Sequence, residues 1–196
     1  MTTFLRHRLW PAFALLLVLT IITGVIYPVL VTAIAQVAFP KQANGSFIVT
    51  ADGRTIGSSL IGQAFSDPKY FTGRPSAAGA DGYDGSASAG SNLGPTNQAL
   101  IDRITQQVDA LRAANGDAPV PVDLVTTSAS GLDPDISPAA ADYQVGRVAS
   151  ARSMSESDVR AAVARHTEQP TLGFLGEPRV NVLLVNLDLD GLLASS

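Results

Sequence analysis

The sequence is poor in the residues that carry metal and nucleophilic chemistry. It has no cysteine and only two histidines, His7 and His166. The absence of cysteine excludes disulfides, thiolate metal sites and cysteine nucleophiles. Because His7 lies in the N-terminal tail, a histidine metal site or a Ser-His-Asp centre would have to use His166 alone.

Nucleotide and ion-conduction motifs are missing as well. Lys41 and Lys69 are the only lysines, and neither lies in a G-x-x-x-x-G-K-[ST] motif or follows an aspartate. This excludes a P-loop and an Asp-Lys-Thr phosphorylation motif. The sequence also has no T-V-G-Y-G filter and no G-x-S-x-G elbow. We therefore expect no catalytic residue, no metal site and no cofactor of the chain's own.

Charge is distributed unevenly along the chain. Residues 1–40 contain two arginines and no acidic residue, whereas the remainder contains 11 basic and 17 acidic residues, a net charge of −6. An acidic soluble part argues against nucleic acid as a partner, because nucleic acid is bound by basic surfaces. Weak attraction for cations is a background effect of this charge and does not define a binding site.

The segment 9–39 is uncharged and lies between Arg8 and Lys41. About 20 helical residues span the hydrocarbon core of a bilayer, so the segment predicts a transmembrane helix. Its first part holds eleven strongly apolar residues, which contribute about −4 kcal/mol to insertion. We expect Pro28 to kink the helix near its outer end, which membrane helices tolerate.

The orientation of this span follows from its flanking charges. Two arginines before it, against Lys41 alone just after it, place the N-terminus in the cytoplasm. We thus expect a cytoplasmic tail 1–8, a transmembrane helix 9–39 and an extracytoplasmic domain 40–196. The alternative is a signal peptide cleaved at the A-x-A-like site Ala33–Ala35. A retained anchor is favoured because signal peptides have apolar regions of about 7–15 residues, shorter than this one.

The first part of the domain predicts a β-hairpin and then irregular chain. Residues 46–50 and 54–60 have strand patterns, with the turn signal Asp52-Gly53 between them. The aromatic, proline-interrupted stretch 61–71 predicts an irregular packed segment. Residues 73–95 are rich in Gly, Ser and Ala, which is the composition of a flexible linker.

Three helices are predicted in the rest of the domain. They begin at Gly94–Thr96, at Ser137-Pro138 and at the capping box of Ser155 with Asp158. The second helix is expected to end near Arg152. The buried face of the first helix is expected to carry Ile101, Ile104, Val108 and Leu111. That of the third helix is expected to carry Val159, Ala162, Val163 and His166.

Two further segments predict strands. Residues 122–126 predict a short strand, and the apolar run 180–189 predicts a buried one. The fold class is therefore α+β: one N-terminal transmembrane helix, then a single mixed domain with a small sheet and about three helices. We expect the two ends of the domain to pair in one sheet.

Four stretches of the domain resemble the potassium-transporting ATPase C chain, the KdpC family, in family order behind one span with Tyr27-Pro28. The stretches are 57–63 with Tyr70-Phe71 and 73–76; 90–97; 119–126 with 128–134, Ser137-Pro138 and 143–145; and 172–173 with 176–178 and 180–183. One such stretch would be weakly specific. All four in order are highly specific, and they cover most of the soluble part.

The resemblance implies a non-catalytic accessory subunit of a four-subunit pump in the bacterial inner membrane. Its partners would be a channel-like subunit that binds potassium, a P-type subunit that hydrolyses ATP, a very small membrane subunit and the lipid bilayer. ATP and potassium would be handled by the partner subunits. The family is described as a catalytic chaperone that raises the ATP affinity of the hydrolysing subunit, and also as an extracytoplasmic cap near the potassium entrance.

Four residues in these stretches are candidates for partner binding: Arg74, Asn92, Asn97 and Asp123. Arg74 is expected to make a bidentate contact with the channel-like subunit or to fix a loop of its own domain. Asn92 and Asn97 are expected to order turns and caps more than to bind a partner. The resemblance thus implies defined turns in residues 90–97, where composition alone predicts a linker. Asp123 is expected to cap a turn or helix, with cation attraction at the channel mouth as the alternative.

The remaining candidates have mainly structural expectations. Asp133 and Asp135 share the two expectations given for Asp123. Gln144 is the candidate nucleotide contact of the chaperone description, but it is disfavoured because ATP is cytoplasmic and the domain is expected outside. An effect on ATP would then pass through the membrane helices as a coupling free energy. His166 is expected to be a satisfied, partly buried histidine.

Two other classes of function are kept as alternatives. A membrane-tethered extracytoplasmic enzyme would need a catalytic constellation, and the sequence offers none. A secreted structural or binding module, such as an adhesin, would need cleavage after Ala35.

Overall fold

The computed structural model describes residues 2–50 and 53–193, with side chains from residue 7 onward. The chain divides into two compact units after Phe47. The first is an N-terminal helical segment and the second is a mixed α+β domain with small sheets and several helices. The predicted fold class is therefore confirmed.

The N-terminal segment is helical from Thr2 to Ala38 but not uniformly α-helical. Helix α1 (Thr2–Ile21) runs into a π-helical stretch (Ile22–Ile26) and then into α2 (Tyr27–Ala38). Pro28 lies in the first turn of α2. Because proline has no N–H and its ring crowds the carbonyl four residues earlier, we attribute the π-helical stretch just before it to Pro28.

Residues His7–Ala38 are long and apolar enough to cross a membrane, and none of their most apolar window is buried. A signal sequence near an N-terminus can meet the same criteria of length and composition, so the retained anchor stays a prediction. A short helix, α3 (Pro40–Ala43), follows.

The predicted hairpin is present, formed by β1 (Phe47–Val49) and β2 (Thr55–Ser58). Asp52 of the expected turn signal lies outside the described residues. The stretch 61–71 is irregular and packed, as predicted, with Phe71 almost fully buried.

Residues 73–95 have no regular secondary structure, yet they are not the flexible linker that their composition alone predicts. The Ser76 hydroxyl donates to the carbonyl of Gly131 at 2.6 Å and accepts from the backbone N–H of Tyr83 at 2.7 Å. Ala78 is fully buried. These bonds hold the segment against residues 128–131, so its small residues serve close packing and not flexibility.

The three predicted helices are present as α4 (Gln98–Asn115), α5 (Pro138–Arg152) and α6 (Glu156–Arg165). Each is capped by a side-chain oxygen that accepts from a backbone N–H of the first turn. The capping residues are Asn97, Ser137 and Ser155. On α4 the expected inner face is only partly buried, because Ile101 is exposed.

Both remaining strand predictions need correction. Residues Val122–Leu124 form a 3₁₀ turn. The run 180–189 contributes only its first residues to strand β5 (Arg179–Asn181), and then forms helix α7 (Val182–Leu189). A short run that is apolar on every side has no period that separates strand from helix. The cap is the deciding local feature, because Asn181 accepts from the N–H of Leu184.

The second sheet is small and antiparallel. Strand β3 (Asp135–Ile136), strand β4 (Thr167–Glu168) and β5 have the order β3-β5-β4. Among the described residues the first hairpin forms a separate two-stranded sheet, so the expectation that the two ends of the domain share one sheet is wrong. The ends meet through side chains instead, where Ile48 packs with Leu183 and Leu187.

Helix α5 lies at the centre of the domain. Helices α4 and α6 pack against it, and α7 packs against α6. Its inner face is fully buried. All the side chains on this face are apolar except Gln144, which is buried as well.

Candidate functional site

Arg74 is held by its own domain. Its guanidinium lies 3.1 Å from the carboxylate of Asp133 and donates to the carbonyls of Thr126 at 3.3 Å and Thr127 at 3.2 Å. The backbone carbonyl of Arg74 accepts from the hydroxyl of Tyr83 at 2.6 Å. Burial, aided by the charge of Asp133, raises the pKa of Tyr83 to about 12, so this hydroxyl remains a donor. The geometry gives Arg74 the loop-fixing role, and its contact with a partner stays a prediction.

An open charged cleft of about 460 Å³ adjoins Arg74. Its charged side chains are four carboxylates and two guanidinium groups, so the cleft is net negative: Asp123, Asp133, Asp135 and Glu177, and Arg74 and Arg179. In the part of the chain that the structure describes, no group of three His, Asp or Glu side chains is arranged to hold a metal ion.

Each aspartate of the cleft has a structural partner. Asp123 accepts from the N–H of Ser137 at 2.7 Å, just before α5 begins. Asp133 accepts from the N–H of Asp135 at 3.0 Å. Asp135 lies 3.1 Å from the guanidinium of Arg179. Burial first, and the charge of Asp133 second, raise the pKa of Asp135 in spite of that guanidinium. Asp123 and Asp133 thus have the capping role expected of them, whereas Asp135 forms an ion pair with Arg179 instead.

Gln144 lies in the core, and its side chain is fully buried. Its Oε1 accepts from the N–H and the hydroxyl of Thr72, both at 2.9 Å, and from Arg147 at 2.7 Å. Its Nε2 donates to the carbonyls of Thr72 and Ala140, both at 3.2 Å. The amide is therefore fully engaged within the domain. This geometry favours a structural role, and a nucleotide contact stays an untested prediction.

Sequence reasoning missed a second buried amide, Asn186 on α7. Its Oδ1 accepts from the N–H of Phe71 at 2.8 Å and its Nδ2 donates to the carbonyl of Phe71 at 2.9 Å. Gln144 and Asn186 thus bind the backbone of Phe71 and Thr72 as a neighbouring strand would. The sequence does carry a signal for this residue, because Asn186 lies inside an apolar run. An amide that is buried with such a run needs a hydrogen-bond partner within the domain.

Two arginines of α5 also bind backbone carbonyls of the segment 69–72. Arg147 donates to the carbonyl of Tyr70 at 3.0 Å, and Arg152 donates to the carbonyl of Lys69 at 2.7 Å. The hydroxyl of Tyr70 in turn donates to Asp190 at 2.8 Å, which also pairs with Arg152. We call these groups, with Gln144 and Asn186, the backbone clamp. It supplies hydrogen-bond partners to backbone groups of residues 69–72 without placing them in a sheet.

The other predicted residues lie apart from the clamp. Asn97 caps α4 by accepting from the N–H of Ala99 at 2.9 Å, and Asn92 lies exposed in the loop before it with a positive φ of 52°. His166 is partly buried and lies 3.0 Å from Asp188, as expected. Burial pushes the pKa of Asp188 up, but the hydrogen bonds from Arg165 and His166 outweigh it, so the pKa is lowered.

The family-like stretch near the C-terminus forms a protruding hairpin between β4 and β5. Thr171 pairs with Leu175 across an isolated bridge. Three apolar side chains around this turn, Leu172, Phe174 and Leu175, are 78%, 73% and 52% exposed. They have no core to join within the domain.

Comparison with known proteins places these features in a family. A family model described as "K+-transporting ATPase, c chain" matches residues 9–191. The chain belongs to the KdpC family. The resemblance drawn from the four stretches is confirmed.

Relatives in the KdpC family match over nearly their full length. A potassium-transporting ATPase KdpC subunit of Sorangium cellulosum is 65% identical over 94% of this chain and 97% of its own. The corresponding subunit of Methylococcus capsulatus is 59% identical over 93% and 96%. That of Koribacter versatilis is 55% identical over 95% and 96%. The KdpC match spans the apolar helix, the clamp, the charged cleft and the protruding hairpin.

Proposed function

We propose that this chain is a non-catalytic accessory subunit of an ATP-driven, high-affinity potassium uptake pump. The observation that carries the proposal is the family match over residues 9–191, which includes both the apolar helix and the domain. Its partners are a channel-like potassium-binding subunit, a P-type subunit that hydrolyses ATP and a small membrane subunit. The proposal agrees with the absence of P-loop and phosphorylation motifs from the sequence.

The chain assembles or stabilises the complex from the extracytoplasmic side and raises the ATP affinity of the hydrolysing subunit as a catalytic chaperone. It does so indirectly. The candidate nucleotide contact, Gln144, is buried and engaged by Thr72, Arg147 and Ala140. Coupling between separate sites is typically about 1–3 kcal/mol, which corresponds to a change in affinity of roughly 5–150-fold.

A second role, as a cap that regulates potassium entry to the channel-like subunit, is favoured by the charged cleft. Four carboxylates against two guanidinium groups give it a net negative charge. Such a cleft raises the local concentration of cations by long-range attraction, without a dedicated binding site.

The test compares the pump purified with and without this chain. An affinity tag on the chain should recover the ATP-hydrolysing and potassium-binding subunits from detergent extracts. Omission of the chain should raise the ATP concentration for half-maximal hydrolysis by about fivefold or more.

The variant Gln144→Leu is the control for direct contact between this side chain and ATP. It should reduce the thermal stability of the domain, but in whatever complex still assembles it should leave ATP affinity unchanged. Recovery of no pump subunit with the tagged chain would reject the proposed function.

A further inference from the structure

The tip of the β4–β5 hairpin is an apolar projection. Residues 169–176 contain no charged side chain, and Leu172, Phe174 and Leu175 are all at least half exposed. Single exposed apolar side chains are ordinary on protein surfaces. Three of them within four residues of one turn are a cluster, and clustered exposed apolar side chains are typical of an interaction site.

The backbone of the tip is unfavourable for the side chain it carries. Leu172 has a φ of +56° and Gly173 one of +80°. Turns of this kind normally use Asn, Asp or Gly, because a branched side chain in the left-handed region is strained. With 78% of its surface exposed, Leu172 gains little packing within the domain in return. Local folding therefore does not explain a leucine here, and a partner outside the domain does.

Charges around the tip indicate the chemistry of that partner. Glu168 and Glu177 flank the uncharged stretch on either side. Arg179 lies at the base, but it already pairs with Glu168 and with Asp135. The charged cleft, which is net negative, lies beside the same base. The tip is thus an apolar projection surrounded by acidic side chains. We call Glu168, Glu177 and the neighbouring net-negative cleft the acidic collar. Such a tip complements an apolar pocket with a basic rim.

We propose that this hairpin tip docks into an apolar, basic-rimmed pocket on the extracytoplasmic surface of another subunit of the pump; the inference rests on the proposed function above. An anionic lipid surface fits less well, because the acidic collar would be repelled by the head groups. A symmetric contact with a second copy of the chain fits less well too, because it would bring the two acidic collars together.

The test uses the double variant Leu172→Asn/Phe174→Asn in the full chain, co-expressed with the pump. Asparagine tolerates the left-handed conformation, so the melting temperature should stay the same or rise slightly. Recovery of the pump subunits with the tagged chain should fall about tenfold or more. The control is Ile101→Gln, which removes another exposed apolar side chain from α4 and should leave recovery unchanged.

A photo-cross-linking amino acid at position 174 identifies the occupant. In intact cells it should form an adduct with another pump subunit. Adducts with lipid alone, or with a second copy of this chain, would overturn the inference, as would recovery of the pump by the double variant at the wild-type level. Failure of the wild-type chain to recover any pump subunit would instead reject the proposed function, and this inference with it.

Discussion

At the scale of single residues, the domain relies on amides where its chain has no sheet partner. Asn186 and Gln144 each present both an acceptor and a donor to one stretch of backbone, at Phe71 and Thr72. A carboxylate has no donor, and it would also bury a charge. Because buried groups left without a partner are costly, the identity of these two side chains is tightly constrained by the fold.

The first prediction concerns Asn186→Asp in the full chain. At neutral pH the carboxylate would face the carbonyl of Phe71 without a donor, and we expect the free energy of unfolding to fall by about 3 kcal/mol. Burial would raise the folded-state pKa of this aspartate above its unfolded value. The destabilisation should therefore be present above the folded pKa and disappear as the pH falls below the unfolded one.

The measurement is urea unfolding at several pH values, with Asn92→Asp as the control. Asn92 is exposed, and aspartate also tolerates its positive φ, so this change should be nearly neutral at every pH. Equal stability of Asn186→Asp and the wild-type chain at neutral pH would show that the clamp at Phe71 contributes little.

At the scale of elements, the sequence predicted correctly those helices and turns whose ends are marked by a local residue pattern. The starts of α5 and α6 were correct because Ser137-Pro138 and Ser155 cap helices by their own chemistry. Helix α7 was missed because Val182–Leu189 is buried on nearly all sides and has no helical period. The packing of residues 73–95 was missed because its partners, residues 128–131, lie 42 to 55 residues further along the chain.

The second prediction tests that packing through two glycines with the same φ of +67°, Gly131 and Gly191. A Cβ on Gly131 would lie 2.5 Å from the carbonyl oxygen of Ala89 and 2.8 Å from the nitrogen of Ala78, whereas one on Gly191 would meet nothing within 4 Å. Gly191→Ala should therefore cost only the backbone strain, about 1 kcal/mol.

Gly131→Ala should cost that strain and about 1–3 kcal/mol more, because both neighbouring atoms belong to backbone that the domain holds in place. Thermal unfolding of the two full-length variants gives the comparison. Equal melting temperatures would mean that residues 78–89 move aside freely, and would restore the interpretation of this segment as a linker.

At the scale of the whole molecule, the sequence predicted the architecture better than it predicted the site. An uncharged segment behind two arginines is a strong one-dimensional signal, and it coincides with the apolar helical stretch His7–Ala38. The roles of Arg74 and Gln144 depend on Asp133, Thr126 and Thr72, which are distant in sequence. No local pattern specifies such pairs.

The third prediction concerns orientation, and it uses the absence of cysteine. Two single-cysteine variants are compared, His7→Cys just before the uncharged segment 9–39 and Ala161→Cys on the exposed side of α6. In intact spheroplasts a membrane-impermeant maleimide should label only Ala161→Cys, and lysis should add His7→Cys.

The reverse pattern would place the domain in the cytoplasm and make direct contact with ATP feasible. Cleavage after Ala35 would give a third outcome, in which the His7→Cys variant is never labelled in the mature chain. The intact mass of the purified chain separates this outcome from poor access of the reagent.

The π-helical stretch Ile22–Ile26 has a consequence for helical phase. A single π turn inserts one residue into an α-helix, and one residue corresponds to a rotation of about 100° around the axis. Side chains of α1 and α2 that an ideal helical wheel would align therefore point in different directions. The span therefore offers two short seams at different angles instead of one continuous seam.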